Sequence, residues 1–258
     1  MFVKRKPYSK ENVIHFLPNL FTTGNLFCGF YSIIAALGDL YIPSATAILI
    51  AGIFDVLDGR IARMTKGFSK FGEEYDSLAD LVSFGIAPAM LIYLWSIESF
   101  GRMGWLSCFV FIACGALRLA RFNSKNSSSE KKFFEGLPIP MAAFGVVTTI
   151  FLFHELMLEE NKNYFNLLLP VILGFLMVSS VRYRSFKDLD LKNRRSFGFL
   201  VLVIFLLIIV AYNPGIMMFV VMTGYIVSGP LLHFTQKTTP SIDRKKGNVV
   251  LCLPSKEM

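Results

Sequence analysis

Eight apolar stretches, each close to 20 residues long, recur along the 258-residue chain and limit its fold more than any other feature. A helix needs about 20 mostly apolar residues to cross the roughly 30 Å hydrocarbon core of a bilayer. The stretches therefore predict an all-α membrane protein with about eight transmembrane helices. The predicted spans cover residues 16–38, 43–64, 74–97, 104–122, 138–156, 164–182, 196–212 and 214–234.

The composition excludes the main alternatives to a membrane protein. Hydrophobic residues make up 54% of the chain and charged residues 17%, whereas soluble domains contain about 25% charged residues. A chain this apolar cannot stay solvated as a disordered polymer. A secreted disulfide scaffold is also excluded, because the cysteines show no paired spacing. They are Cys28, Cys108, Cys114 and Cys252.

The basic residues predict the orientation of the chain. Of the 26 Lys and Arg residues, 24 lie in the two tails or at the even-numbered connections, and only Arg102 and Lys162 lie on the other side. The positive-inside rule then places both termini in the cytoplasm. Because no base-stacking motif or zinc spacing accompanies the +8 charge, we expect no nucleic-acid partner. We expect a multi-pass protein of the bacterial cytoplasmic membrane.

Four aspartates stand where the second predicted span ends and the third begins. Asp55 and Asp58 share one helical face, as do Asp76 and Asp80, because residues three or four apart are helical neighbours. The short connection makes the two helices antiparallel neighbours, so the carboxylates can face each other. Converging acids near a membrane are costly unless cations lie between them. Since Mg²⁺ prefers carboxylate and phosphate oxygens, the pattern predicts a divalent-metal site at the cytoplasmic surface.

A structural alternative exists for the acids and for the glycines beside them. The acids could form interfacial salt bridges, although four aspartates at this spacing favour a metal site. The available partners are Arg60, Arg63, Lys66 and Lys70. Gly59 and Gly72 would either let a phosphate approach the backbone or allow close packing of helices. Arg63 would add a cation for phosphate oxygens.

The string from Asp55 to Asp80 resembles the signature of the CDP-alcohol phosphotransferase family. That signature is Asp, two residues, Asp-Gly, two residues, Ala-Arg, eight residues, Gly, three residues, Asp, three residues, Asp, and every element is present here. The flanking segments are similar to the integral-membrane members that use serine as the acceptor. These segments are residues 18–22 with Asn25, 76–88, 118–123 and 136–140. The resemblance extends over about residues 14–145.

The resemblance implies an enzyme that transfers the phosphatidyl group from CDP-diacylglycerol to the hydroxyl of L-serine and releases CMP. It implies two divalent cations, Mg²⁺ or Mn²⁺, held at the cytoplasmic ends of the second and third helices. The implied metal ligands are Asp55, Asp58, Asp76 and Asp80, and Asp80 is also the implied general base. It further implies a homodimer.

Two binding regions are predicted from the resemblance and the residue types. The residues predicted to bind CDP are Gly59, Ala62, Arg63, Gly72, Lys66, Asn19 and Thr22. Serine carries a carboxylate, so its pocket should contain a cation. The residues predicted there are Arg118, Arg121 and Asn123. Positive-inside anchoring is the alternative for the two arginines, and helix packing is the alternative for Asn19, Thr22 and Asn25.

The chain divides into four predicted regions, and two other functions stay open. The regions are a basic cytoplasmic tail (1–13), the catalytic core (14–145), additional transmembrane helices (146–234) and a polar C-terminal tail (235–258). The acceptor could be another alcohol, such as glycerol 3-phosphate or an inositol phosphate, whose extra phosphate would need a more basic pocket. Intramembrane acids could also bind ions in a cation transporter, although the inverted repeats typical of transporters are not evident.

Overall fold

The computed structural model describes residues 10–65, 69–124, 133–158, 164–184 and 213–238. This part of the chain forms seven helices and one short pair of strands. The helices are α1 (Lys10–Leu37), α2 (Tyr41–Thr65), α3 (Lys70–Phe100), α4 (Arg102–Ser124), α5 (Ile139–Glu155), α6 (Tyr164–Val178) and α7 (Pro214–Thr238). The strands are β1 (Phe133–Glu135) and β2 (Arg182–Arg184), which pair antiparallel.

Five of the described helices are long and apolar enough to cross a membrane. These segments are Pro18–Leu37, Tyr41–Met64, Lys70–Phe100, Arg102–Ser124 and Pro214–Leu231. Helices α5 and α6 are also apolar but contain only 17 and 15 residues. The length and composition of these helices confirm the prediction of a helical multi-pass membrane protein. The count of eight spans stays a prediction, because residues 196–212 lie outside the described residues.

The strand pair was not predicted, and it joins the connection before α5 to the segment after α6. Next to it, the Gly136 amide donates to the Val181 carbonyl at 2.9 Å, and the Leu137 amide donates to the Leu176 carbonyl at 3.1 Å. Gly136 has a φ of +82°, and a Cβ there would lie 3.1 Å from the Met177 carbonyl carbon. This close approach therefore requires glycine. Strands of three residues are too short to leave a periodic signal in the sequence.

Helix α3 starts earlier than predicted and contains two widened turns. Ser69 caps it, because its Oγ accepts a hydrogen bond from the Gly72 amide at 3.0 Å. The helix is α-helical over Lys70–Asp80 and π-helical over Leu81–Ile86 and Tyr93–Ile97. The first widened turn ends two residues before Pro88, whose ring would clash with the carbonyl four residues earlier in a regular α-helix. Such turns are frequent at functional sites, and this one directly follows Asp80.

The first three helices pack closely and bring the aspartates together. Helix α1 packs along α2 and against the first half of α3, while α4 packs against α6 and α5 against α7. Gly29 of α1 lies against Ser83 of α3, where an added Cβ would come within 2.7 Å of the Ser83 Cα. The buried core below this contact includes Ile48, Phe84 and Phe111, each 0% exposed.

Candidate active site and metal centre

Three of the predicted metal ligands form a compact cluster. One carboxylate oxygen from each of Asp55, Asp76 and Asp80 lies within 4.8 Å of the others. Asp55 is on α2, whereas Asp76 and Asp80 are one turn apart on α3. The antiparallel packing expected from the short connection therefore brings both helix faces to one site.

Asp58 lies beside this cluster and has a protein partner. It is 4% exposed, and it interacts electrostatically with Asp76 and Asp55. Its Oδ2 accepts a hydrogen bond from the Thr22 Oγ1 at 3.1 Å. The structure thus places all four aspartates in one region, with Asp58 oriented by helix α1.

Helix α1 also orients Asp80 through Asn25. The Asn25 Nδ2 donates to the Asp80 Oδ1 at 3.0 Å. Asn25 is 0% exposed, and its own carbonyl accepts from the Ser83 Oγ at 2.9 Å. Because Thr22 and Asn25 are three residues apart, they share one face of the helix. Each of these two residues thereby holds one aspartate.

The chemistry of the cluster fits a divalent cation. Three carboxylate oxygens this close together repel each other in a site shielded from water. The Asp76 Oδ1 is buried and has no hydrogen-bond partner among the described residues, which is unfavourable unless a ligand satisfies it. Hard divalent ions take oxygen ligands of this kind. Asp55, Asp76 and Asp80 are therefore the residues that would hold the ion most directly.

A pocket opens beside the cluster, between α1, the end of α2 and the start of α3. Its empty volume is about 450 Å³, part of which is open to solvent. Five of the seven residues predicted to bind CDP form its walls, together with Asp58 and Asp76. These five residues are Asn19, Thr22, Gly59, Ala62 and Gly72.

The two glycines of the motif have different surroundings. A Cβ added at Gly59 would meet no atom of the described residues within 4 Å, so this wall of the pocket is open. A Cβ added at Gly72 would lie 3.1 Å from the Ser69 Oγ and 3.3 Å from the Asn19 Oδ1. Gly59 thus leaves space for a ligand, whereas Gly72 allows α3 to pack closely on α1.

Of the remaining two residues of the predicted CDP site, the structure describes one, and it does not line the pocket. Arg63 is exposed, and its Nε donates to the Gly59 carbonyl at 2.8 Å, one turn back on its own helix. Lys66 lies outside the described residues. Three residues of the pocket wall were not among the predicted site residues, namely Pro18, Ser69 and Glu73. The available signal for Ser69 was its capping position before α3. Pro18 lies in a segment that carries the family resemblance, whereas Glu73 is not a specified position of the motif.

The three residues predicted to bind serine occupy different positions at the end of α4. Arg118 is partly buried, and its charge interacts electrostatically with that of Asp80 on α3. The Asn123 Nδ2 donates to the Ser77 Oγ at 3.0 Å, which joins α4 to the turn of α3 that carries Asp76. Arg121 is exposed. Arg118 is thus the member of this group that the structure brings to the acid cluster.

Comparison with known proteins identifies the family. The family model for CDP-alcohol phosphatidyltransferase matches residues 15–181, which is more than half of the chain. The chain belongs to this family. The family match covers the four aspartates, the pocket and Arg118, and it ends before α7.

Curated relatives in the CDP-alcohol phosphatidyltransferase family resemble most of the chain. A CDP-diacylglycerol--serine O-phosphatidyltransferase of Helicobacter pylori is 38% identical over 84% of this chain and 91% of its own length. A protein of the same name from Bacillus subtilis is 34% identical over 71% of this chain and 98% of its own length. A third, from Methanocaldococcus jannaschii, is 40% identical over 61% of this chain and 71% of its own length.

Proposed function

We propose that the protein transfers the phosphatidyl group of CDP-diacylglycerol to the hydroxyl of L-serine and releases CMP. The observation that carries this proposal is the cluster of Asp55, Asp76 and Asp80 beside a pocket lined by Gly59 and Ala62. The names of the relatives, which share 34–40% identity with this chain, support serine as the acceptor.

The donor binds with its cytidine diphosphate in the pocket and its acyl chains toward the bilayer. The open wall at Gly59 lets the diphosphate approach the backbone. Arg63 and Lys66 supply positive charge at the end of α2. Asp55, Asp58, Asp76 and Asp80 would hold two divalent cations, Mg²⁺ or Mn²⁺. Bound there, such ions would neutralise the carboxylates and polarise the phosphate.

Asp80 is the general base of the reaction. Asn25 holds its Oδ1, so the other carboxylate oxygen can accept a proton from the serine hydroxyl. A base within hydrogen-bond reach can take this proton as the new bond forms. The serine oxygen forms a bond to the phosphorus that carries diacylglycerol, the phosphorus–oxygen bond to CMP breaks, and CMP leaves.

Arg118 binds the serine carboxylate, and Arg121 and Asn123 complete the acceptor site. The support for Arg118 is its interaction with Asp80 and its Nε, which is buried and unpaired within the described part of the chain. A guanidinium in this state is suited to a carboxylate, which accepts two parallel hydrogen bonds. Asn123 supports the site by its bond to Ser77.

The orientation and assembly are part of the same proposal. Residues 14–145 form the catalytic core, and both termini and the active site face the cytoplasm of a bacterial cell. The distribution of basic residues supports this orientation. The active form is a homodimer, as the family resemblance implies, and tails 1–13 and 235–258 are cytoplasmic.

The decisive test is CMP release by the purified protein in detergent with CDP-diacylglycerol, L-serine and Mg²⁺ or Mn²⁺. We expect serine-dependent CMP release, and we expect Asp80→Asn to lower kcat by about 10²–10⁴-fold, because it removes the base. Asp39→Asn is the matched control, since Asp39 lies in the α1–α2 turn with a φ of 59° that asparagine tolerates. This control should keep wild-type activity.

The same assay separates the alternative functions. CMP release with glycerol 3-phosphate or an inositol phosphate, but not with serine, would reassign the acceptor. Ion flux in proteoliposomes without any CMP release would favour a cation transporter and contradict the proposal.

A further inference from the structure

Helices α2, α5 and α7 enclose an apolar groove on the side of α2 that faces away from α1. Helices α2 and α7 both pack on α5, and the groove lies between them with α5 as its floor. The Phe144 ring of α5 lies so close to Gly52 of α2 that a Cβ added at Gly52 would clash with it. The empty volume of the groove is about 1220 Å³, part of which is open to the outside.

The wall of this groove suits a hydrocarbon chain. Among the described residues that line it, Thr148 is the only polar one. The Thr148 Oγ1 donates to the Phe144 carbonyl at 2.8 Å, so its hydroxyl is already satisfied within α5. Helix α7 contributes Met217, Met218 and Met222, whose flexible side chains adapt to irregular apolar shapes. The groove therefore matches an occupant that is apolar and flexible.

The groove begins beside the aspartates of α2. Gly52 on its wall lies three residues before Asp55, so the two residues share a helical face. From Leu57 to Leu49 the groove follows α2 for about 12 Å, at 1.5 Å per residue. This length is close to half of the roughly 30 Å hydrocarbon core of a bilayer. The groove thus leads from the level of the acid cluster into one leaflet.

Helix α7 forms one wall of the groove although it lies beyond residues 15–181, which match the family. A Cβ added at Gly145 of α5 would lie 3.0 Å from the Ile226 Cδ1. One added at Gly215 of α7 would lie 3.0 Å from the Phe151 carbonyl oxygen. These two close contacts hold α7 on α5 at separate points, so they set the width of the groove.

We propose that this groove binds an acyl chain of the CDP-diacylglycerol donor, and that α7 thereby makes the enzyme sensitive to acyl-chain length. The inference rests on the proposed function, since it concerns the donor of that reaction. A chain linked to a phosphate at the aspartates has to leave the site along an adjoining helix face. The groove starts at that level, is apolar along its length and runs into one leaflet, so its occupant is the chain attached to the reacting phosphate.

The kinetic test places a large side chain in the groove with Val221→Trp. Val221 lines the groove and is 56% exposed, whereas Val220 is equally exposed and does not line it, so Val220→Trp is the matched control. In mixed micelles, we expect Val221→Trp to raise the KM for dipalmitoyl CDP-diacylglycerol about tenfold, the effect of two methylenes that lose their burial. The KM for a dioctanoyl donor should rise less, because its shorter chains fill less of the groove. The KM for L-serine should not change, and Val220→Trp should behave like wild type with both donors.

A labelling experiment on the wild-type protein tests the same groove without a substitution. The probe is CDP-diacylglycerol with a photoactivatable diazirine in one acyl chain, added to protein in phosphatidylcholine nanodiscs. We expect the label on groove-lining residues of α2, α5 or α7. An excess of unlabelled CDP-diacylglycerol should remove it, whereas the same excess of phosphatidylglycerol should not.

The outcomes separate this inference from the alternatives for the groove and from the proposed acceptor. Removal of the label by both lipids alike would show an ordinary bilayer lipid in the groove and would overturn the inference. Label confined to other helix faces, or equal donor kinetics in Val221→Trp and Val220→Trp, would also overturn it. If Val221→Trp does not fold, the position of the label in wild type decides alone. CMP release with another alcohol instead of serine would overturn the proposed acceptor, but competed labelling of the groove would still support the inference.

Discussion

Single polar side chains on α1 determine how two of the aspartates are presented. The Thr22 hydroxyl holds the Asp58 Oδ2, and the Asn25 amide holds the Asp80 Oδ1. A carboxylate with one oxygen bonded to protein has a defined orientation, and its second oxygen stays available to a cation or a substrate proton. In the proposed reaction the charged residues therefore carry out the chemistry, while neutral residues on a neighbouring helix set their orientation.

This arrangement predicts a kinetic role for Asn25. In Asn25→Ala, Asp80 loses a hydrogen bond to its charged group, which corresponds to about 1.5–3 kcal/mol. We expect kcat for CMP release to fall about 10- to 100-fold, with little change in the KM for CDP-diacylglycerol. The measurement is steady-state kinetics of CMP release.

Asn166→Ala is the matched control for Asn25→Ala. Asn166 is also 0% exposed, and it makes one side-chain bond to the Ser96 Oγ at 2.9 Å on the far side of the fold. Its loss should lower the Tm but leave kcat of the folded protein unchanged. Equal losses of kcat in the two variants would mean that Asn25 acts only through stability.

At the scale of helices, the contact of α1 with α3 keeps Asn25 within hydrogen-bond distance of Asp80. Gly29 lies against Ser83, and the Ser83 Oγ donates to the Asn25 carbonyl. Ser83 belongs to the π-helical turn Leu81–Ile86, so the widened turn forms part of the interface that orients Asp80. A glycine on one helix and a widened turn on the other together allow this close approach.

This interface predicts that Gly29→Ala impairs both stability and activity. The new Cβ would lie 2.7 Å from the Ser83 Cα, a backbone atom that cannot move aside without shifting α3. Overpacking of this kind lowers the free energy of unfolding by about 1–3 kcal/mol. We expect a lower Tm in detergent and a lower kcat, measured on the same preparation.

Gly224→Ala on α7 provides the matched control for Gly29→Ala. A Cβ there would contact no described atom within 4 Å, and alanine is favoured over glycine in a helix by about 1 kcal/mol. This variant should be as stable as wild type or more so. If Gly29→Ala is likewise as stable as wild type, the α1–α3 interface can accommodate a Cβ at this position, and the prediction is wrong.

Across the whole molecule, local sequence signals predicted the helices and the acid cluster but not the contacts between distant elements. Asp55 lies near the end of one apolar stretch and Asp76 near the start of the next. Because a short connection joins these two helices, the sequence alone predicts that the two aspartates converge. The exposed position of Arg63 and the packing of α7 on α5 depend on how the helices rotate and pack. Neither leaves a periodic pattern in the sequence. The sequence therefore predicts Arg63 as a CDP-binding residue from its motif position alone, and α7 as one of the additional transmembrane helices.

The charge distribution also makes a prediction for the molecule in its membrane. Met64, near the C-terminal end of α2, is 84% exposed, and Met157, between α5 and α6, is 93% exposed. With the proposed orientation, a membrane-impermeant maleimide should label Met157→Cys in intact cells and Met64→Cys only after permeabilisation. The native cysteines are replaced by serine in both variants, and the cysteine-free protein is the background control.

Labelling of Met64→Cys in intact cells would place the aspartates on the outer face, because Met64 follows Asp58 and Ala62 on the same helix. Since serine transfer is proposed on the cytoplasmic face, that result would reverse the orientation inferred from the basic residues.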